Sequence, residues 1–231
     1  MDLNKNRLRD VAFDQIIRRG TAEILEEDEQ GMLLRDKRHG LVFLVSDDFE
    51  TGAEWLRKHE DIGYEILSIY SLPLAEYAMQ RYGLTGQEIC RQVVWTRPEA
   101  PGLSGIVRIR PAEDRDVPFI SANYDDWEEW GHLVYEIGNI FVAELPDERG
   151  KTVGFVGHHM EDTLGLLFVD PEYRNMGIGL ELEKFMIGEM LRMGLTPYGH
   201  VIVGNEKSME LQKSLGMEFW DGLMSWVSPG E

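Results

Sequence analysis

The feature that most constrains this chain is an apolar strand that runs into a glycine-containing turn and then a helix. Residues 164–169 (LGLLFV) are almost continuously apolar, which predicts a central strand buried on both faces. The turn contains Arg174, Gly177 and Gly179 as R-x-x-G-x-G, and residues 179–193 space apolar side chains as an amphipathic helix does. Because the first N–H groups of a helix lack partners within it, this stretch predicts an anion site.

A pyrophosphate is the anion that suits this turn best. Glycines at 177 and 179 carry no Cβ, so a phosphate can approach the backbone, and Arg174 can add a charge-assisted hydrogen bond. No Gly-Lys-Ser/Thr follows, and the dinucleotide pattern G-x-G-x-x-G does not occur here. The turn is therefore neither a nucleoside-triphosphate loop nor a dinucleotide fingerprint. A turn that only connects two elements is the alternative.

Two segments in the same order resemble the GNAT acyltransferases. Residues 154–187 (GFVGHHMEDTLGLLFVDPEYRNMGIGLELEKFMI) resemble that family's central strand, pyrophosphate loop and helix. Residues 197–217 (PYGHVIVGNEKSMELQKSLGM) resemble its next strand and the helix after it, and weaker similarity covers 103–231. The nearest look-alikes are the glycine N-acyltransferase-like and FR47-like branches. The resemblance implies an α+β GNAT fold, a mixed and mostly antiparallel sheet flanked by helices.

The resemblance also implies a site for acetyl-CoA or another short acyl-CoA. Backbone groups of Leu167, Phe168 and Val169 would pair with the pantetheine arm, in a splay beside the strand that ends at Val203. Backbone amides and the arginine side chain would hold the pyrophosphate along the loop of Arg174, Asn175, Met176, Gly177, Ile178 and Gly179. Asn205 and Ser208 would bind the pantetheine or the adenosine phosphate end, and Asn205 is also expected to cap a helix.

The implied reaction moves an acetyl or other short acyl group from acyl-CoA to a primary amine by direct attack in a ternary complex. Such a transfer needs a base for the amine proton and a proton for the leaving thiolate. Glu161 is the first candidate for the base. His159 is the second, because histidine changes charge between pH 5 and 8. A solvated turn without a catalytic role is the alternative for both residues.

Two departures from the family pattern leave the function open. Phe168 stands where many members carry an acidic residue, and Gln212 stands where many carry a tyrosine acid. Glutamine cannot supply a proton, although its amide could donate a hydrogen bond to the thioester sulfur. A non-catalytic acyl-CoA-binding sensor or interaction module is therefore the second reading, and a structural partner protein with a vestigial fold is the third.

The acceptor is not specified by any motif. Residues 124–135, with Trp127 and Trp130, fall where the family forms its acceptor site, which favours an apolar or aromatic acceptor. Ordinary helix packing would explain the same aromatic residues. A small-molecule amine is the expected partner, and polyamine, amino acid, aminoglycoside and protein N-terminus all remain open.

The Pro- and Gly-rich stretch at residues 98–105 predicts a linker between two α+β halves. Residues 1–97 would form an N-terminal α/β lobe that resembles a degenerate GNAT domain. Residues 106–231 would form the GNAT domain that binds acyl-CoA and carries the catalytic residues.

Charge and composition limit the partners. The chain has 42 acidic and 23 basic residues and a net charge of −19, which argues against nucleic acid and membrane surfaces. One cysteine, Cys90, cannot form an internal disulfide. The N-terminus is charged, and the longest clean apolar run, Leu41–Val45, is too short for a membrane span. We therefore expect a cytoplasmic enzyme, monomeric or homodimeric.

No metal is expected. His158 and His159 are adjacent in a predicted strand and would point to opposite faces of the sheet. No further cluster of ligands accompanies them, so the pair does not form the ligand set of a metal centre.

Overall fold

The structure is a computed structural model of the chain and describes residues 1–147 and 150–230. The helices are α1 (Arg7–Arg19), α2 (Phe49–Lys58), α3 (Leu72–Tyr82), α4 (Val117–Ser121), α5 (His132–Glu136), α6 (Ile178–Arg192) and α7 (Glu206–Leu215). The strands are β1 (Ala22–Glu27), β2 (Gly31–Asp36), β3 (Val42–Ser46), β4 (Leu67–Ile69), β5 (Gly86–Val94), β6 (Arg108–Pro111), β7 (Ile140–Glu144), β8 (Thr152–His158), β9 (Leu164–Val169), β10 (Tyr198–Ile202), β11 (Glu218–Phe219) and β12 (Met224–Ser228).

The central elements lie within one residue of their predicted bounds. The predicted strand at 164–169 is β9, and the helix predicted after the glycine turn is α6. The predicted acceptor segment, residues 124–135, contains a π-helical turn, Trp127–Gly131, and most of α5. The connection between β7 and β8 includes residues 148 and 149, which lie outside the described residues.

The chain divides into two compact units. The first contains Met1–Val94, His200–Glu210 and the chain from Glu218 onward, and the second contains Trp95–Gly199 and Leu211–Met217. These bounds differ from the predicted division at residues 98–105, because β12 pairs with β4 and β5 of the first unit. The organisation into a degenerate lobe and a catalytic domain stays a prediction.

The first unit has strand order β1-β2-β3-β4-β12-β5. β1, β2 and β3 form an antiparallel meander. β4 then runs parallel to β3 through three consecutive pairs, from Val42 with Leu67 to Leu44 with Ile69. α2 connects these two strands, and its buried residues Trp55 and Leu56 belong to the apolar core of this unit.

The second unit repeats this succession of elements. β6, β7, β8 and β9 are antiparallel neighbours, and α6 connects β9 to β10. β10 is parallel to β9, and the structure describes one bridge between them, from Gly199 to Leu164. The sheets are thus mixed and mostly antiparallel with flanking helices, which confirms the predicted fold class.

A buried charge network holds the start of the second unit. Arg110 of β6 binds both oxygens of Asp116 at 2.6 and 2.9 Å and Glu144 of β7 at 2.7 Å. Thr152 of β8 donates to Asp116 at 2.6 Å. Asp116 directly precedes α4, so the network fixes where α4 begins relative to the strands.

The Pro- and Gly-rich stretch at 98–105 lies along α6. Ala100 is in contact range of Gly188, where a Cβ would be 3.5 Å from the alanine Cβ. Ser104 Oγ and Gly105 N donate to the Glu181 carboxylate at 2.9 and 2.6 Å. The stretch therefore packs on the helix that follows the glycine turn and is tied to its first turn.

Within the described residues, no helix is both long and apolar enough to cross a membrane. Among the same residues, no three or more His, Cys, Asp or Glu side chains cluster so that they could hold a metal ion.

Candidate functional site

Strand β9 contains a β-bulge near its centre. Its register to β8 pairs Phe168 with Phe155 and Gly165 with Gly157, so two β9 residues, Leu166 and Leu167, face one residue of β8. Leu166 has φ of +51°, in the left-handed region that a leucine rarely adopts. A bulge leaves one residue outside the ladder and redirects the backbone groups beside it.

The burial of β9 differs from the prediction of a strand buried on both faces. Leu164 and Leu166 are buried, but Leu167, Phe168 and Val169 are only partly buried. The described pairing with β10 is limited to Leu164. From Gly165 onward the β10-facing edge therefore has no ladder partner in the described part of the chain, and its polar groups can bind another molecule.

The loop after β9 forms an open helix start. Gly177 is the N-cap of α6 with φ of +82°, and no side chain caps the helix there. Asn175 also adopts a left-handed conformation, with φ of +64°. The N–H groups from Ile178 to Leu180 have no carbonyl acceptor within the helix. The loop from Arg174 to Gly177 is exposed, so the start of α6 and its helix dipole are open on the side of this loop.

Arg174 lies between this loop and β9. Its Nε donates to the Val169 carbonyl at 3.0 Å, and its guanidinium carbon is 5.8 Å from the centre of the Phe168 ring. These contacts orient the side chain and leave its terminal Nη groups for an anion. The structure thus places all of the predicted loop, Arg174 to Gly179, beside the end of β9, and the arrangement fits a pyrophosphate.

Asn205 and Ser208 belong to the first unit. The Asn205 side chain accepts a hydrogen bond from the Ser208 backbone N–H at 3.1 Å, which confirms the predicted helix cap of α7. A role of either residue in acyl-CoA binding stays a prediction.

The two candidate bases share the turn between β8 and β9. Glu161 accepts a hydrogen bond from the Thr163 hydroxyl at 2.7 Å, and the Tyr198 hydroxyl donates to the Glu161 carbonyl at 3.1 Å. The imidazole of His159 lies over Gly165 of β9. Burial raises the pKa of Tyr124 well above its ordinary value, and the negative charges of Asp126 and Glu161 raise it further. Tyr124 therefore remains protonated, and the Glu161 carboxylate is close enough to influence it.

Gln212 is buried against α6. Its amide Nε2 donates to Glu183 Oε1 at 3.2 Å, so this N–H is already engaged. Glu183 Oε2 and Gln212 Oε1 are buried without a hydrogen-bond partner among the described residues. Burial raises the pKa of Glu183 to about 7, and the bond from Gln212 opposes that rise. The predicted contact of Gln212 with a thioester sulfur stays a prediction.

An aromatic cluster covers one face of β8 and β9. Phe168 and Phe155 are stacked with ring centres 5.5 Å apart and planes 22° apart. Phe119 meets the Phe168 ring edge-on at 5.9 Å. Tyr124 and Trp127 pack against the same cluster. Aromatic residues from the predicted acceptor segment are thus brought to the face that carries Phe168.

Three features of the site were not predicted from the sequence. They are the bulge at Leu166, the contact of the His159 imidazole with Gly165 and the burial of Glu183. Nothing in the sequence around Leu166 marks its left-handed backbone, because an apolar run of this kind predicts a regular strand. The contact of the His159 imidazole with Gly165 has a weak signal, because a lone glycine inside an apolar strand often marks a place where another group approaches closely. The burial of Glu183 also had a signal in the sequence. Glu183 lies one helical turn before Ile187, and this spacing places it on the buried side of α6.

Comparisons with known proteins agree with this geometry. The sequence model of the "Acetyltransferase (GNAT) family" matches residues 106–217. A Drosophila protein has a similar structure, with TM-score 0.64, 19% identity and coverage of 87% of this chain and 74% of its own. A GCN5-related N-acetyltransferase-like protein from Streptococcus suis gives TM-score 0.53 at 17% identity, covering 96% of this chain and 97% of its own.

A GCN5-related N-acetyltransferase from Kribbella flavida gives TM-score 0.55 at 12% identity, covering 97% of this chain and 95% of its own. Comparison with curated proteins gave no match. These structural likenesses support the fold, and the match over 106–217 adds the sequence evidence. Residues 106–217 of this chain therefore form a domain of the acetyltransferase (GNAT) family.

Proposed function

We propose that this chain is an N-acyltransferase that moves an acetyl or other short acyl group from acyl-CoA to a primary amine. Membership in the family indicates acyl transfer from acyl-CoA to an amine. The observation that carries the proposal is the end of β9, where a strand edge without a described ladder partner meets an uncapped helix start. Such an edge suits an extended pantetheine arm, and such a helix start suits a pyrophosphate.

Binding of acyl-CoA would use backbone groups first. Leu167, Phe168 and Val169 would pair with the amides of the pantetheine arm, as one strand pairs with another. The backbone from Asn175 to Gly179 would hold the pyrophosphate, and Arg174 would add a charge-assisted hydrogen bond. When bound, acyl-CoA supplies a thioester whose acyl carbon an amine can attack.

Proton transfer falls to the turn between β8 and β9. The amine nitrogen forms a bond to the acyl carbon, the carbon–sulfur bond breaks, and the amine loses a proton to a base. Glu161 and His159 are the groups of this turn that can accept that proton. The thiolate leaving group takes a proton from solvent, because the Gln212 amide cannot supply one. Backbone N–H groups beside the Leu166 bulge are suited to hold charge on the acyl oxygen.

The aromatic cluster supports an acceptor with an apolar or aromatic body. Phe168, Phe119 and Trp127 are only partly buried and bring aromatic surface instead of charge to this face. Since a polyamine carries several cations, it would gain little from this face, whereas an arylalkylamine could pack its ring there. We therefore place an aromatic or apolar primary amine ahead of polyamine, aminoglycoside and protein N-terminus.

A non-catalytic acyl-CoA sensor is the second candidate. The observation that favours it is the hydrogen bond from the Gln212 amide to Glu183, which engages an N–H that could otherwise donate to the thioester sulfur. Both candidates require acyl-CoA binding at the loop, so turnover distinguishes them.

The test is release of free thiol from acetyl-CoA across an amine library, with the acylated product identified by mass spectrometry. The library should contain arylalkylamines, aliphatic amines, polyamines and amino acids at equal concentration. We expect turnover with at least one arylalkylamine and weaker turnover with polyamines. Binding of CoA by calorimetry without turnover of any amine would favour the sensor, and no binding would contradict both candidates.

A further inference from the structure

Gly165 provides the space in which the His159 imidazole lies. A Cβ built on Gly165 would overlap His159 Nε2 and come within 2.5 Å of Cδ2. Any other residue at this position would therefore collide with the ring. The imidazole occupies the volume that a side chain of β9 would normally fill, one residue before the bulge at Leu166.

The backbone of the turn holds His159 in this place. Its N–H donates to the Thr163 carbonyl at 2.8 Å, and its carbonyl accepts from the Asp162 N–H at 3.0 Å. Asp162 is buried with φ of +69°, a conformation that aspartate tolerates better than most residues. The turn is therefore closed by its own hydrogen bonds, which fix the backbone of His159 beside Gly165.

The face of the sheet can be read from the register. Gly165 pairs with Gly157 and Phe168 pairs with Phe155, and side chains of paired residues share a face. Phe155 and Gly157 are two residues apart on an unbulged strand, so they also share a face. The imidazole thus lies on the face of the stacked phenylalanines, where the proposed acceptor would bind.

The other candidate base is differently placed. A Glu161 carboxylate oxygen already accepts the Thr163 hydroxyl at 2.7 Å. In the described residues the His159 ring nitrogens make no hydrogen bond. The neighbouring titratable groups are His158 at the end of β8 and Asp162 of the turn, whose Nδ1 and Oδ1 are 3.8 Å apart, with Tyr124 and Tyr198 near Glu161.

Resting on the proposed function, we propose that His159 accepts the amine proton and that Gly165 is its positioning residue. The proton moves from the attacking amine nitrogen to a ring nitrogen of His159 and passes to solvent after the acyl carbon–sulfur bond has broken. Gly165 touches no substrate in this scheme and acts through the imidazole that it admits.

The experiment is a double-variant cycle of Gly165→Ala and His159→Ala, followed by kcat/KM against pH with the best amine. Because the imidazole is the end of a flexible side chain, it can swing away from a new methyl group, and the fold should persist. We expect each variant to lose about a hundredfold or more of kcat/KM and the double variant to lose no more. Because a general base acts only when it is deprotonated, kcat/KM rises with pH, and this ascending limb of the base should disappear in each variant.

Gly157→Ala is the matched control. Its Cβ lies at the same register of the sheet but meets the Asn139 carbonyl instead of His159. It should retain the ascending limb whatever its stability. Two results would overturn the positioning role. One is a double variant whose loss of kcat/KM is the product of the two single losses, and the other is a Gly165→Ala enzyme that keeps the wild-type ascending limb. Loss of the limb in Glu161→Gln alone would assign the base to Glu161.

A measurement without turnover separates this inference from the proposed function. The histidine ring signals in a proton–nitrogen NMR spectrum can be assigned to His159 with the His159→Ala variant. We expect Gly165→Ala to move the His159 signals toward those of a solvated histidine and leave the His158 signals in place. Unchanged His159 signals would contradict the placement of the imidazole against Gly165, even if the chain transfers no acyl group.

Discussion

In both units a strand leads into a helix, β9 into α6 in the second unit and β3 into α2 in the first. The starts of the two helices differ in capping and in charge. In the second unit, α6 begins at a left-handed glycine without a side-chain cap, after an exposed loop. In the first unit, α2 begins at Asp48, whose carboxylate accepts from the Thr51 N–H at 2.8 Å. An aspartate in this position both fills the anion site and repels a phosphate.

The strands that flank the two helices differ in the same sense. β3 and β4 are parallel through three consecutive pairs, so the first unit satisfies the backbone groups between these strands. β9 and β10 have one described bridge. Two connections with the same topology thus teach that the order of elements does not determine an acyl-CoA site. In the proposed function, an uncapped helix start and a strand edge without a described ladder partner do.

The largest expected effect comes from placing an aspartate, the residue at the start of α2, at the start of α6. Gly177→Asp should weaken CoA binding by more than about a hundredfold, or about 3 kcal/mol, because the new carboxylate would stand at the start of α6 and repel the phosphates. Aspartate and asparagine both tolerate a left-handed backbone. Gly177→Asn therefore controls for size and should lose less. Titration calorimetry measures both, and equal affinities for the two variants would contradict the electrostatic reading.

The buried faces of the two helices offer the next test. α6 buries Glu183, whereas the buried residues of α2 are uncharged. Because burial raises the pKa of Glu183 from 4.5 to about 7, the folded protein loses stability as pH rises from 4.5 to 7 and stays at that lower level above it. Glu183→Gln removes this charge and can form reciprocal hydrogen bonds with Gln212. It should be more stable than wild type at pH 8 by up to about 3 kcal/mol.

Urea unfolding at pH 5 and pH 8 measures this difference. The advantage of Glu183→Gln should be much smaller at pH 5, since most of the wild-type carboxyl is then protonated in the folded state. Glu54→Gln, at an exposed position of α2, is the matched control and should show little change at either pH. An advantage that does not depend on pH would contradict the raised pKa.

Arg174 tests the loop itself with a smaller effect. Arg174→Ala should lower CoA affinity by roughly ten- to a hundredfold, as expected for a lost charge-assisted hydrogen bond worth about 1.5–3 kcal/mol. Arg192→Ala, at the other end of α6 and paired with Glu189, is the control for removing one positive charge. An Arg174→Ala affinity equal to that of the control would show that the arginine does not contact the pyrophosphate.

The smallest effect concerns the cap of the first unit. Asp48→Ala should lower Tm by roughly 2–4 °C, because the Thr51 N–H loses its acceptor, and should leave CoA affinity unchanged. Glu50→Ala, at an exposed position in the first turn of α2, should change Tm less. A measurable gain or loss of CoA affinity in Asp48→Ala would mean that the first unit also takes part in binding.

The elements of the fold could be predicted because their signals are local. The apolar run of β9, the glycine turn and the amphipathic α6 are contiguous, and the helix caps are marked by Asp48 and Asn205. The loop of the candidate site was predictable for the same reason. Its donors are backbone groups whose availability depends only on where the helix begins.

The rest depends on contacts between distant residues. The predicted linker at 98–105 packs on α6 because Ser104 and Gly105 bind Glu181, which the sequence shows only as an acidic residue in a first turn. The bounds of the units follow from the pairing of β12 with β4 and β5. No local pattern specifies which strand a C-terminal strand will join.

Hydrogen exchange with and without CoA, read by mass spectrometry on the full chain, tests the central claim most directly. The account predicts slower exchange of the amides from Asn175 to Glu181 when CoA is present, and no change from Asp47 to Ala53. Protection of the segment from Asp47 to Ala53, or no protection at the start of α6 at a saturating concentration of CoA, would contradict it.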